Sequence, residues 1–410
     1  MLSRYQRLAH NRLVEGYVRH KFPSKFDNVI VAMSSGVDSS VAAALFAGFP
    51  NARGVYMQNW SKSQSLNDPS KELCYERDWK DVCKVGSHLN FPVERVNFEQ
   101  DYWIDVFEPM LKQYECGYTP NPDIGCNRFV KFGKLREHLD AKLGPGNYWL
   151  VTGHYARVMK ATQTGEAHLL RSFYPEKDQS YYLSQIPASI LPQLLMPVGD
   201  LTKPEVRQFA HELQIPTADK PDSQGICFVG NSQHGKFNKF LEHYLPSQKG
   251  NIITIDPESA EKTVWGEHEG IWSYTVGQKV GISMPQGDPR YQGAWYVGEK
   301  LLDTNEIVIV RGRDHPVLYR NFLELKNFMP LGDQDTTRQV VNQSMLDGKV
   351  SIQYRSLQTP IRVKNLQWNA EKMTLLLEKS QRAMAPGQYC CVYINDRVLG
   401  SGIISSTCVK

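Results

Sequence analysis

Residues 28–46 read NVIVAMSSGVDSSVAAALF, and the fold class turns on them. Asn28 to Met33 is an almost unbroken apolar run, the pattern of a strand covered on both faces. Ser34, Ser35 and Gly36 make a turn, and residues 41–49 then read as a helix. A strand–turn–helix unit gathers several backbone N–H groups and a helix N-terminus at one point. Such a point attracts phosphate oxygens. Ser34, Ser39 and Ser40 add hydroxyl donors there, and Gly36 lets the backbone approach closely. No lysine follows the glycine as in GxxxxGK[ST], so phosphoryl transfer of the Walker type is not indicated. The GxGxxG of dinucleotide binders is absent as well.

Further along the chain, residues 54–58, 93–98 and 149–153 read as strands, with helices near 78–89, 102–114 and 128–142. Strands alternating with helices imply crossover units and a parallel sheet, so the chain is α/β to about residue 229. The texture then changes. A helix at 236–245 is followed by short strands at 251–255, 270–274, 294–297, 307–310, 361–363, 373–377, 389–394 and 399–404. Strands at that spacing predict a small all-β domain, a barrel. The expected organisation is an N-terminal segment 1–26, an α/β domain 27–230, a central domain 231–311 and a C-terminal β-barrel 312–410.

Charge divides unevenly over the 410 residues. Residues 1–26 carry six bases against Glu15 alone, +5, while the remainder has 41 bases and 42 acids, −1. An Arg-rich, acid-poor start with interspersed Leu, Val and Tyr predicts an organelle-import peptide, to be left out of fold reasoning. No apolar run approaches the roughly 18 residues of a membrane span, so no membrane partner is expected. Eight cysteines without a CxxC pair exclude a disulfide scaffold and structural zinc, and they point to a reducing compartment.

Two cysteines stand in unusual loops. TPNPDIGCN (119–127) is stiffened by Pro120 and Pro122 and reads as neither helix nor strand. Cys126 ends it, ahead of a helical run bearing Arg128, Lys131, Lys134 and Arg136. A helix start and nearby cations favour a thiolate. DSQGICF (222–228) sets Cys227 after a glycine in a polar turn. The other six cysteines, Cys74, Cys83, Cys116, Cys390, Cys391 and Cys408, lack a motif and read as structural.

SSGVDSS resembles the SGGxDS pyrophosphate loop of enzymes that split ATP into AMP and pyrophosphate. Ser35 stands where that loop usually has glycine; were φ positive there, serine would cost about 1 kcal/mol. SSGVDSS, TPNPDIGCN, TGHYA (152–156), KDQSYYL (177–183), LTKPEVR (201–207), DSQGICF and YTVGQKVG (274–281) occur in the order found in MnmA-type tRNA-uridine 2-sulfurtransferases. The chain resembles that family from about residue 28 to 404, and with its basic start it looks like a mitochondrial matrix member.

The resemblance implies a pyrophosphate-loop domain, a small central domain and a C-terminal β-barrel. It implies ATP with Mg²⁺ and a wobble uridine of a tRNA anticodon stem-loop as substrates. Sulfur would come from an upstream carrier or cysteine desulfurase. Ala32, Met33, Ser34, Ser35, Gly36, Val37, Asp38, Ser39, Ser40, Met57 and Gly153 would hold ATP, with Asp38 orienting the loop or helping to hold Mg²⁺. Asn121, Pro122 and Asp123 would meet the target base. His154, Lys177, Asp178, Gln179, Tyr354, Arg355 and Gln388 would touch the tRNA. Cys227 would carry a persulfide and Cys126 would act as nucleophile, the two passing through a transient disulfide, either as the persulfide attacks C2 or as Cys126 releases sulfide that attacks it directly, with Asp123 as a proton carrier or base-contacting group. An iron–sulfur cluster would normally need more cysteine ligands than these two loops supply, and none is expected. Two other readings compete: a different AMP-forming pyrophosphate-loop enzyme, and a tRNA-binding protein that has lost catalysis.

Overall fold

The computed structural model describes residues 1–61, 74–222, 234–285, 287–369 and 372–410. It begins with helix α1 (Leu2–His10) and strand β1 (Tyr17–Arg19), then β2 (Asn28–Met33), α2 (Val37–Phe46), β3 (Ala52–Gln58), α3 (Cys74–His88) and β4 (Val93–Asn97). β5 (Tyr148–Thr152), β6 (Ala156–Ala161), β7 (Ala167–Arg171) and β8 (Leu194–Leu195) follow. β2, β3, β4, β5 and β8 form the predicted parallel sheet, in the order β4-β3-β2-β5-β8. At the centre of β2 and β5, Val29, Ile30, Val31, Leu150 and Val151 have no exposed surface. The order reverses between β2 and β5. In open α/β sheets ligands settle at such a switch point, beyond the carboxyl ends of the strands.

The central strands β9 (Gly250–Ile255), β10 (Lys262–His268), β11 (Lys279–Val280), β12 (Trp295–Leu301) and β13 (Glu306–Arg311) form a second five-stranded sheet. In the C-terminal part, β14 (Tyr319–Pro330), β15 (Val350–Gln353), β16 (Ile361–Trp368), β17 (Lys372–Arg382), β18 (Tyr389–Ile394) and β19 (Arg397–Cys408) close into a six-stranded antiparallel barrel, because β19 pairs with both β14 and β18. The hairpin β6–β7 joins that barrel at its β19 edge, Arg397 opposite Leu170. One sheet thus runs from the first domain into the last.

Three local expectations are corrected, and one helix goes unread. Residues 270–274 are a 3₁₀ turn (Ile271–Ser273), because the Ser273 amide and hydroxyl both donate to the Gly270 carbonyl and curl the chain. TPNPDIGCN starts a helix instead of breaking one. Asn121 caps it by accepting from the Asp123 amide, and Pro122 takes the first position, where no N–H is needed. The helix Gln334–Leu346 is illegible among Thr, Gln and Asn; Asp333 caps it at 2.8 Å from the Thr336 amide. Finally, residues 1–26 belong to the fold. α1 buries Tyr5 and Ala9, β1 pairs with β6, and Phe22 stacks on Phe46.

The three parts meet at residues 117–119. The Thr119 amide donates to the Pro386 carbonyl of the C-terminal barrel, and Thr119 Oγ1 lies 3.4 Å from Thr275 Oγ1. Lys300 Nζ, at the end of β12, donates to the Gly117 carbonyl at 2.8 Å. Burial holds the Lys300 pKa down at about 7. Its ordinary value is near 10.4, so between the two the unfolded chain binds more protons, and stability must rise with pH. Lys300→Met should flatten that rise between about pH 7 and 10, read from urea midpoints at several pH values.

Candidate active site

The loop after β2 turns at Ser35, whose φ is +65°. The strained serine is secured by its hydroxyl, which donates to Asp78 Oδ1 and accepts from Lys220 Nζ, both at 2.8 Å. Lys220 also reaches Asp78 and Asp81 on α3. Gly36 then caps α2 with extended backbone (φ −78°, ψ 159°), leaving the first-turn amides of α2 directed out of the helix. Ser39 and Ser40 turn their hydroxyls to the Gly36 carbonyl, at 3.0 and 2.9 Å, so they brace the loop from within. Ser34 is exposed at the turn, while Met33 is buried and Ala32 and Met57 are half-buried behind it.

Asp38 points back into the protein. Its carboxylate accepts from Lys203 Nζ at 2.7 and 2.9 Å and from Tyr155 Oη at 2.8 Å. Of the two roles expected for Asp38, orienting the loop fits this geometry. A magnesium ligand does not fit, since an ammonium group already spans both oxygens. Lys203 also pairs with Asp222 at 2.7 Å, which in turn takes Lys177 and Arg207. Burial pushes the Asp222 carboxyl up, but Lys177 and Lys203 outweigh it and hold the pKa at about 2. Nothing in the sequence singles out Lys203, Tyr155 or Asp222, although all three lie inside the family motifs.

Gly153, after β5, abuts this loop. A Cβ on it would stand 2.6 Å from the Ser39 amide nitrogen, so only glycine lets the two segments touch. His154 follows, its Nδ1 2.8 Å from Thr152 Oγ1 and its ring 5.9 Å from that of Phe132. Phe132 lies on the helix that starts at Pro122 and runs, through a wider π-type stretch at Cys126–Lys134, to Leu143. Such stretches recur at functional sites. Asp123 and Cys126 occupy its first turns, with Cys126 only 4% exposed. Burial raises the Asp123 pKa against the pull of Lys131, and burial together with Lys131 keeps His154 well below its usual value. Asp123, His154 and Lys131 therefore share one electrostatic neighbourhood, adjoining the phosphate loop through Gly153.

The segment 178–185 holds this helix against the C-terminal barrel. Asn127 Nδ2 donates to the Tyr182 carbonyl, Arg128 to Gln185 Oε1, and Gln185 and Ser184 reach Ser401 of β19. Two of the residues expected to touch tRNA lie inside the fold. Asp178 is 6% exposed and Tyr354 2%, so neither side chain faces solvent. Asp178 accepts from the Ser172 amide and Ser180 hydroxyl, and Tyr354 Oη donates to the Arg382 carbonyl. Gln179 is likewise engaged, exchanging hydrogen bonds with Tyr155. Gln388 is half-buried, with Oε1 lacking a partner among the described residues. Lys177 and Arg355 are the accessible cations of the expected tRNA contacts, although Lys177 pairs with Asp222 and Arg355 donates to the Ala383 carbonyl.

Cys227 lies outside the described residues. Cys390 and Cys391 are wholly buried, as structural residues should be, whereas Cys116 and Cys408 are exposed. Among the described residues no group of three metal-ligating side chains is assembled. The Ser35 geometry gives a stability test: Ser35→Gly removes the strain and Ser35→Ala keeps it, while both lose the same hydroxyl. Ser35→Gly should be the more stable of the two by about 1 kcal/mol in urea unfolding.

Comparison with known proteins agrees with this arrangement. Residues 27–231 match the tRNA methyl transferase HUP domain family, 238–311 the tRNA methyl transferase PRC-barrel domain and 335–404 the aminomethyltransferase beta-barrel domain. The chain is 64% identical to mitochondrial tRNA-specific 2-thiouridylase 1 of Saccharomyces cerevisiae, over 99% of this chain and 98% of that one. It is 37% identical to the protein of the same name from Schizosaccharomyces pombe, over 95% and 92% of the two chains. With tRNA-specific 2-thiouridylase MnmA of Chlamydia pneumoniae it shares 40% identity over 92% and 96%. A phosphate loop at the switch point, a cysteine helix beside it and two β-domains behind, matched along nearly the whole chain, place this protein in the tRNA-specific 2-thiouridylase family.

Proposed function

We propose that this chain is a mitochondrial tRNA-uridine 2-sulfurtransferase, acting on the wobble uridine with ATP. The observation that carries the reading is the meeting of the Ser34–Ser40 loop with Gly153, His154 and the helix of Asp123 and Cys126. The C2 oxygen of the uridine attacks the α-phosphorus of ATP, and pyrophosphate leaves. The loop amides and the α2 N-terminus, oriented by Asp38, cradle the phosphates. Mg²⁺ bound to those phosphates would help neutralise them. The terminal sulfur of a Cys227 persulfide then attacks C2, and Cys126 attacks the inner sulfur. The S–S bond of the persulfide breaks, its electron pair stays with the transferred sulfur, and the C2–O bond cleaves to expel AMP. A Cys126–Cys227 disulfide remains, and a dithiol reductant must reset it. Asp123, whose pKa burial raises, suits a proton carrier beside the base.

The wobble uridine would be flipped toward Asn121, Pro122 and Asp123, with Lys177, His154 and Arg355 on flanking RNA. The persulfide would be loaded by an upstream sulfur carrier or cysteine desulfurase. Delivery to mitochondria rests on the basic segment 1–26 as its address, in keeping with the named yeast relative.

Cys126→Ser and Cys227→Ser should each abolish 2-thiouridine in nucleoside mass spectrometry while tRNA affinity stays within about threefold. Wild-type protein that releases no AMP when supplied with ATP, tRNA and a persulfide sulfur donor would instead favour a decayed tRNA binder. On the basic helix, Lys134 is paired with Glu137 and Asp101, and Arg136 with Asp140, while Lys131 makes no ion pair among the described residues. Lys131→Glu should therefore lower the salt dependence of tRNA binding by about one phosphate contact, and Lys134→Glu by much less. Fluorescence titrations at several salt concentrations measure both slopes.

A further inference from the structure

Besides packing Phe22 on Phe46 of α2, the N-terminal segment makes a charged contact with the start of the helix Lys203–Glu212. Thr202 caps that helix in a reciprocal box: its hydroxyl accepts from the Glu205 amide at 3.4 Å, and Glu205 Oε2 accepts from the Thr202 amide at 2.8 Å. Glu205 has a second duty. Both its oxygens take the Arg12 guanidinium, at 2.8 and 2.7 Å, in a forked pair. Arg12 also donates to the Asp200 carbonyl at 2.6 Å, and its own carbonyl accepts from the buried Arg157. Arg12 thus ties together the turn before the helix, the cap and the first turn. The residue after the cap, Lys203, stands first in that helix and spans both oxygens of Asp38.

A cap flanked by a free turn frays, and fraying of one turn would move Lys203 by ångströms. Asp38 would lose the ammonium group that holds it, and the loop that cradles phosphate would lose its orientation. Arg12 touches no substrate; its effect passes through Glu205, Thr202 and Lys203. Around it, Tyr5 donates to Asp200 at 2.9 Å, Arg4 pairs with Glu212, and three residues of β1 pair with β6. Cleavage anywhere after Arg12 would remove the fork.

We infer that Arg12 is a positioning residue for the nucleotide loop, and that the segment carrying it stays on the mature chain after import. The inference rests on the loop being the ATP site. Address and structural strap are then one segment, kept uncut.

Two experiments on the full chain test it. Intact mass of the protein, expressed in yeast and recovered from mitochondria, should show Arg12 retained, and a start beyond Arg12 overturns the retention. In purified protein, Arg12→Ala should weaken MgATP binding about five- to tenfold by calorimetry while tRNA affinity stays within about twofold. Glu205→Gln, which keeps the cap contact with Thr202 but loses the charge pair, should do the same, and the double variant should be no worse than either alone. Arg12→Lys should recover part of the loss, and it serves if Arg12→Ala does not fold. Unchanged ATP affinity in Arg12→Ala, with the wild type binding normally, overturns the positioning role alone. A wild type that binds no ATP overturns this inference together with the functional reading beneath it.

Discussion

Asp178 is a carboxylate with almost no access to water, and the groups that satisfy it tie the first domain to the C-terminal barrel. It accepts from the Ser172 amide, the Ser180 amide and the Ser180 hydroxyl, and Arg171 lies 3.6 Å away. Arg171 in turn lies over the Tyr393 ring of the C-terminal barrel, 3.5 Å from its centroid, and Ser180 Oγ is 3.3 Å from Tyr393 Oη. A buried charge left unpaired costs several kcal/mol, so the turn at 178–185 cannot leave β7 or the barrel without a large penalty. That turn sets Tyr182 and Gln185 against the Cys126 helix. The cysteine is therefore placed by the barrel as much as by its own domain.

A second constraint fixes the other half of the site. Lys203 sits between Asp38 and Asp222 with 11% of its side chain exposed. Asp222 is the last described residue before the stretch that contains Cys227. The same ammonium group thus ties the phosphate loop to the root of the segment bearing the second cysteine. Arg207 and Lys177 add two more positive charges around Asp222, which is why its carboxyl stays ionised despite partial burial. The phosphate loop and the roots of both cysteine segments are held by polar groups that have little freedom to rearrange.

The sheet and its switch point are legible because strands buried on both faces are continuous apolar runs, and residues 29–31 and 150–151 show nothing else. The Ser34–Ser40 turn is legible from its glycine and hydroxyls, and the glycine usual at position 35 already hints at a positive φ there. Tertiary override hides the rest. Asp178 and Tyr354 look like surface polar groups in a sequence, and only the barrel closing over them makes them interior. TPNPDIGCN reads as a breaker because its two prolines suggest one; that Pro122 occupies a position needing no N–H depends on Asn121 capping the same turn. Pairing partners far apart in sequence, such as Lys203 with Asp38, leave no local trace.

The uneven charge of the chain acquires a different meaning from these contacts. The N-terminal segment carries +5 and the body −1, which on composition alone reads as an address attached to a neutral protein. Arg4 faces Glu212, Arg12 faces Glu205, and Arg19 lies 3.9 Å from Asp200. Three of its six bases are thus matched to acids of one small region, the helix Lys203–Glu212 and the turn before it. Exposed pairs of this kind contribute little, but the Arg12–Glu205 fork is shielded and doubly hydrogen-bonded, and it lies next to a helix cap. Half of the bases at the start meet acids of one small region of the body. An import address needs only basic, amphipathic composition; the pairing of particular arginines with particular acids is what a fold requires.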